Sequence, residues 1–117
     1  DGAFLGGSIL PGIEMSARAL HEFTDLLPQI AMAELKAPPP ALGTSTEPAM
    51  RSGLFWGTVG AVRQLTEKLA EEAGSEVVVF LTGGGGELLA ELLGPHARHV
   101  PQLTLAGIAL AARRGNA

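Results

Sequence analysis

The sequence contains no cysteine. A disulfide framework and a thiolate metal site are therefore excluded, and the chain is compatible with a reducing cytoplasm. Tyrosine is also absent, and the aromatic set is four Phe and one Trp. Such a set does not supply an aromatic platform for stacked bases. Positive charge is not in excess: 8 Lys and Arg face 12 Asp and Glu, giving a formal net charge of −4. The basic residues are scattered, which argues against a nucleic-acid partner. Apolar runs are short or interrupted, so neither a membrane span nor a signal peptide is read. What is present is 117 residues at 46% hydrophobic and 17% charged. That is enough to bury a core in one domain and unlike a disordered tail.

Glycine is abundant, and its most informative cluster follows a short apolar run. Val77-Val-Val-Phe-Leu81 is rich in β-branched residues and reads as a strand buried on both faces. Thr82 ends it, Gly83 to Gly86 make a turn, and Glu87 to Leu93 favour a helix. A helix start exposes unpaired N–H groups and the positive end of the helix dipole. Glycines there let a ligand approach the backbone. A plain connection needs only one glycine, so four favour a nucleotide against the turn. The pattern is neither GxGxxG nor GxxxxGK[ST], which makes the motif by itself weak.

At the other end, Asp1-Gly2 is a hairpin-turn dipeptide and Ala3-Phe4-Leu5 reads as the outgoing strand. With no incoming strand ahead of them, the 117 residues read as the back part of a longer protein; the alternative is a frayed terminus. Gly6 and Gly7 mark a bulge or a close backbone approach. A helix is expected from about Pro11 to Leu27, with Ile13, Ala17, Leu20, Phe23 or Thr24, and Leu27 on its apolar face. Pro28 stops it. His21 lies beside that face as a surface or interface residue, because no second ligand stands at metal spacing.

Ile30, Met32 and Leu35 suggest a short edge strand. Pro38 to Pro40 then enforce an extended spacer, with an SH3-type ligand as the lesser reading. The longest helix is expected from about Glu47 to Ala73. Ser45 or Thr46 serves as its cap, Pro48 lies in its first turn and Gly74 ends it. Gly53, Gly57 and Gly60 inside it cost roughly 1 kcal/mol each relative to Ala. Close packing along that stripe, flanked by Phe55 and Trp56, would offset the cost. A subunit interface and intramolecular helix–sheet packing stand level as its cause. After Gly94-Pro95, Ala97 to Val100 suggest an edge strand and Leu103 to Arg114 an apolar helix, with Arg113 and Arg114 favourably placed in its last turn. His96 and His99 fall on a polar surface segment without partners for a metal.

Three segments together resemble the C-terminal half of type III pantothenate kinases. They are Asp1-Gly-x-Phe-Leu-Gly-Gly-Ser-Ile-Leu-Pro-Gly12; Leu42-Gly-Thr-Ser-Thr46 with Ser52-Gly53 and Gly57; and Leu81-Thr-Gly-Gly84 with Pro101-x-Leu-x-Leu-x-Gly107. Order and spacing match along nearly the whole chain. The resemblance implies an α/β chain, residues 1–117, forming most of the second half of an actin-like ATPase and sugar-kinase (ribonuclease H-like) fold, with a mixed sheet and flanking helices. It implies a cytoplasmic homodimer that uses ATP, Mg2+ and a monovalent cation (K+ or NH4+) to phosphorylate pantothenate, the entry to coenzyme A. It implies Thr46 as a pantothenate contact, with Thr44 the runner-up. Gly83, Gly84 and Gly85 fall near the adenosine, and Gly6 and Gly7 line the cleft.

The family's Asp-x-Gly-Asn phosphate loop and its Gly-Ala-Asp-Arg motif, which carries the general base, do not occur in these residues. Glu14, Asp25 and Glu47 do not replace them and read as helix-start or surface charges. The isolated chain is therefore expected to be inactive. The competing reading is a non-catalytic accessory or regulatory protein of the same fold, binding a ligand or partner. An intact phosphate loop and base motif upstream would discriminate the two. A threonine hydroxyl at a helix start either caps the helix or bonds a ligand, so both readings of Thr46 stay open.

Overall fold

The computed structural model describes residues 2–32 and 35–115. It is α/β, with element order α1 (Ile13–Glu22), α2 (Thr46–Ala73), β1 (Val79–Leu81), α3 (Gly86–Leu93), β2 (Ala97–His99) and α4 (Leu103–Gly115). These fall into two compact units, Asp1–Glu76 and Val77–Ala117.

The first unit is built on α2, which runs 28 residues and ends where expected. Gly74 takes φ +65°, and its N–H donates to the carbonyls of Ala70 and Glu71. A left-handed glycine after the last turn is the usual way to satisfy those carbonyls. Helix α1 contacts α2, and Ala17, Ile30, Met32, Met50, Phe55 and Val59 are buried. Phe55 meets the Trp56 ring edge-on at 5.1 Å between centroids, a favoured aromatic geometry.

Helix α1 is shorter than its periodicity predicts. It begins at Ile13, two residues after Pro11, and ends at Glu22 rather than Leu27. Thr24 Oγ1 donates to the Leu20 carbonyl, and His21 Nδ1 donates to the Leu27 carbonyl at 2.8 Å. These side-chain bonds give the backbone an alternative to further helix, a competition known for threonine. Phe23 consequently leaves the apolar face and is exposed.

Two expected strands do not form among the described residues, and residues 33 and 34 of the second lie outside them. Residues 2–12 carry no regular secondary structure and are exposed, so Ala3-Phe4-Leu5 is not a strand and Gly6 and Gly7 do not bulge one. Asp1 lies outside the described residues. Around Ile30 and Met32 the chain is irregular too, although both are buried. Met32 N–H donates to Glu14 Oε1 at 2.7 Å, a side-chain bond where a ladder bond was expected. Glu14 thus has a second job beyond its place in the first turn of α1.

In the second unit β1 and β2 pair in parallel, Val79 with Ala97, Phe80 with Arg98 and Leu81 with His99. The Val79 N–H donates to the His96 carbonyl and the Val100 N–H to the Leu81 carbonyl. Among the described residues the sheet is a two-stranded parallel one, where a mixed sheet was expected. Helix α3 packs against both strands. Successive strand residues face opposite ways, so α3 covers one face only. Val79 and Leu81 are half-buried, whereas Val78 and Phe80 are 59% and 54% exposed. The strand is therefore not buried on both faces within these residues. Helix α4 forms over the expected span, with Arg113 and Arg114 in its last turn, and is exposed throughout.

Candidate functional site

Two loops carry the residues singled out by sequence, one in each unit. The first is the Gly43-Thr-Ser-Thr46 turn. A Cβ at Gly43 would collide with the backbone of Pro48 and Ala49. Only glycine lets this turn lie against the start of α2, and backbone atoms have no rotamer by which to retreat. Ser45 is the N-cap position, extended at φ −150°, and its carbonyl accepts from Ala49 N–H at 3.0 Å. No side chain caps the helix. Thr46 is the first helical residue and is exposed, and among the described residues its hydroxyl has no protein partner. Ser45 thus takes the N-cap position, one of the two residues expected there, but without a side-chain cap bond, and the Thr46 hydroxyl is not used by the helix.

The linker before this turn is docked along α2. Ser52 Oγ donates to the Ala41 carbonyl, Trp56 Nε1 donates to the Pro39 carbonyl at 3.0 Å, and Arg51 donates to the Ala31 carbonyl at 2.9 Å. Arg51 also pairs with Glu47 at 2.8 Å, one turn earlier. The proline run is thus held by its own helix. Trp56, which flanks the glycine stripe, works here through its N–H. The Gly53, Gly57 and Gly60 stripe lies away from this contact. It is exposed, and a Cβ at any of the three would meet open space. Within the first unit, no described residue packs along the stripe.

The second loop is Gly83 to Gly86, between β1 and α3. Its four glycines have different physical reasons. Gly83 and Gly85 take φ +86° and +76°, a region that L side chains rarely adopt. Gly86 is buried, and a Cβ there would sit 3.0 Å from His99 Cδ2 and 3.4 Å from Nε2. Gly84 has neither constraint: its φ is ordinary, and nothing lies within 4 Å of its Cβ position. Two of the four are therefore required by the backbone of the turn and a third is tight against His99, which corrects the expectation that one would suffice.

His99 is the residue that sequence reading missed. The parallel register brings it level with Leu81, at the strand ends from which the glycine turn leaves. Its ring then packs on Gly86, the first residue of α3. No local spacing links position 99 to position 86, so only the register could have found it. Among the described residues no three of His, Asp and Glu gather as a metal site. Gly6 and Gly7 lie in the exposed, irregular segment of the first unit.

Each unit thus carries a glycine-containing turn at the start of a helix. The comparisons with known proteins give the class of protein. The family model for type III pantothenate kinase matches residues 1–68. Over 117 residues, all of this chain and 43% of the relative, it is 40% identical to a type III pantothenate kinase of Acidiphilium cryptum. It is 44% identical over 91 residues to that of Paramagnetospirillum magneticum, covering 78% of this chain and 34% of the relative. With that of Gluconobacter oxydans it shares 40% over 113 residues, 97% of this chain and 41% of the relative. The chain belongs to the type III pantothenate kinase family. It spans less than half the length of these relatives.

No helix among the described residues is long and apolar enough to cross a membrane.

Proposed function

We propose that the protein carrying this chain phosphorylates pantothenate with ATP, giving 4′-phosphopantothenate and ADP at the start of coenzyme A synthesis. The observation that carries this reading is the 40% identity across all 117 residues to a relative of that name. In this reading residues 1–117 form most of the second half of an actin-like ATPase and sugar-kinase fold. The phosphate loop, the general base and the ligands for Mg2+ and the monovalent cation (K+ or NH4+) belong to the other half. The protein acts as a cytoplasmic homodimer.

Phosphoryl transfer asks little covalent chemistry of a protein; catalysis is mostly positioning and charge stabilisation. This chain would contribute positioning. The Thr46 hydroxyl, unclaimed by α2 among the described residues, bonds pantothenate, and Thr44 stands beside it as the second candidate. Gly83, Gly84 and Gly85 give the adenosine side a backbone without side chains. Gly6 and Gly7 line the cleft. The pantothenate hydroxyl attacks the γ-phosphorus, its proton goes to the base of the other half, and ADP leaves.

The test is ATP-dependent phosphorylation of pantothenate by the complete protein, followed by product mass. Turnover is expected there and not in the isolated 117-residue chain. A complete protein that binds pantothenate or a partner without turnover would instead support a non-catalytic accessory role.

A further inference from the structure

The proline linker lies against α2, and its attachment has a consequence for the turn that follows it. Ser52 is only 7% exposed, the one buried polar side chain of the described residues, and its hydroxyl is committed to the Ala41 carbonyl. One helical turn later on the same face, Trp56 Nε1 holds the Pro39 carbonyl. Positions four apart on a helix are neighbours, so the two donors grip the linker at two points two residues apart. From Ala41 the chain has one residue before Gly43, which lies tight on the backbone of Pro48 and Ala49. It then enters the helix through the Ser45 carbonyl bond to Ala49 N–H. The turn is pinned on both sides, and Thr44, Ser45 and Thr46 between and beside these pins are exposed.

The geometry points to Ser52 and Trp56 as positioning residues for the pantothenate contact: they fix the path of the Gly43–Thr46 turn and so the place of the Thr46 hydroxyl. This inference rests on the proposed role of Thr46. Neither residue touches substrate in this scheme; each acts through the linker. The buried Ser52 hydroxyl suits the task, because leaving it without its partner costs free energy and the linker will not leave it lightly.

The experiment uses the complete protein with Ser52→Ala, Trp56→Phe, Thr46→Ala and, as a core control on the same helix, Val59→Ala. Trp56→Phe keeps an aromatic ring beside Phe55 and removes the N–H, so folding should survive it. Pantothenate and ATP affinities are measured directly by calorimetry, beside thermal unfolding. Ser52→Ala and Trp56→Phe are each expected to weaken pantothenate binding roughly three- to tenfold, as loss of one hydrogen bond would, with ATP affinity within twofold of the parent. Val59→Ala should lower the melting temperature and leave pantothenate affinity unchanged. If Thr46→Ala weakens pantothenate binding but Ser52→Ala and Trp56→Phe do not, the positioning role is overturned and the Thr46 reading stands. Should Thr46→Ala itself bind pantothenate like the parent, both fall.

Discussion

Gly84 offers the cleanest separation of fold from function in this chain. A substitution there meets no atom within 4 Å and asks for no left-handed backbone. On the protein alone, Gly84→Ala and Gly84→Val should therefore shift stability by no more than about 0.5 kcal/mol, the usual range for surface changes. If the turn carries the nucleotide, a side chain at position 84 stands between the backbone and the ligand. Forcing extra methyl groups into a close contact costs about 1–3 kcal/mol. That corresponds to a loss of ATP affinity of roughly 5- to 150-fold, with valine above alanine. Gly83→Ala is the opposite control. At φ +86° it strains the backbone by about 1–2 kcal/mol and should lower the melting temperature whatever the ligand does. The assay is ATP titration by calorimetry together with thermal unfolding, on the complete protein and the same variants. Gly84→Val protein that is folded and binds ATP like the parent would refute the nucleotide role of this turn.

Three further outcomes are expected. Thr46→Ala in the complete protein should raise the pantothenate dissociation constant by about fivefold or more, as loss of a ligand hydrogen bond does, and Thr46→Ser should do so less. Since Thr46 makes no cap bond, its melting temperature should stay near the parent's; a lower melting temperature with unchanged pantothenate affinity would mark a structural role. Gly86→Ala pushes a methyl group against His99 and should destabilise by about 1–3 kcal/mol. Adding His99→Ala should recover part of that loss, and a thermal-melt double-mutant cycle showing strict additivity would dismiss the contact. The isolated chain should show no pantothenate-dependent ATP turnover in a coupled assay, and measurable turnover would defeat the division of the site between two halves.

Helices were more legible than strands in this sequence, for a local reason. The C-terminal end of α2 at Gly74 and the span of α3 and α4 follow from residues within one turn of each boundary. The strands depend on partners far away in sequence. Ala3-Phe4-Leu5 has strand composition, yet it pairs into no strand among the described residues. Ile30 and Met32 are buried without a ladder, because Glu14 satisfies the Met32 N–H instead. The far end of α1 failed on side-chain chemistry: His21 and Thr24 were read for surface position and apolar spacing, whereas they bond backbone carbonyls.

The candidate site divides along the same line. Glycine is a single letter with three uses here, and sequence does not distinguish them. At Gly83 and Gly85 it supplies a backbone angle, and at Gly43 and Gly86 it supplies room for another part of the chain. At Gly84 neither reason applies. The exposed Gly53, Gly57 and Gly60 are in the same position, since each costs helix stability of roughly 1 kcal/mol relative to Ala without a contact among the described residues of its own unit to offset it. A glycine that the fold does not need is where an external contact has physical room to act. Counting glycines overstates the strand–turn–helix motif, because two of its four are set by backbone angle and a third is tight against His99. Sorting them by angle and contact leaves one position at which a ligand alone would forbid a side chain, and that position can be tested without disturbing the turn around it.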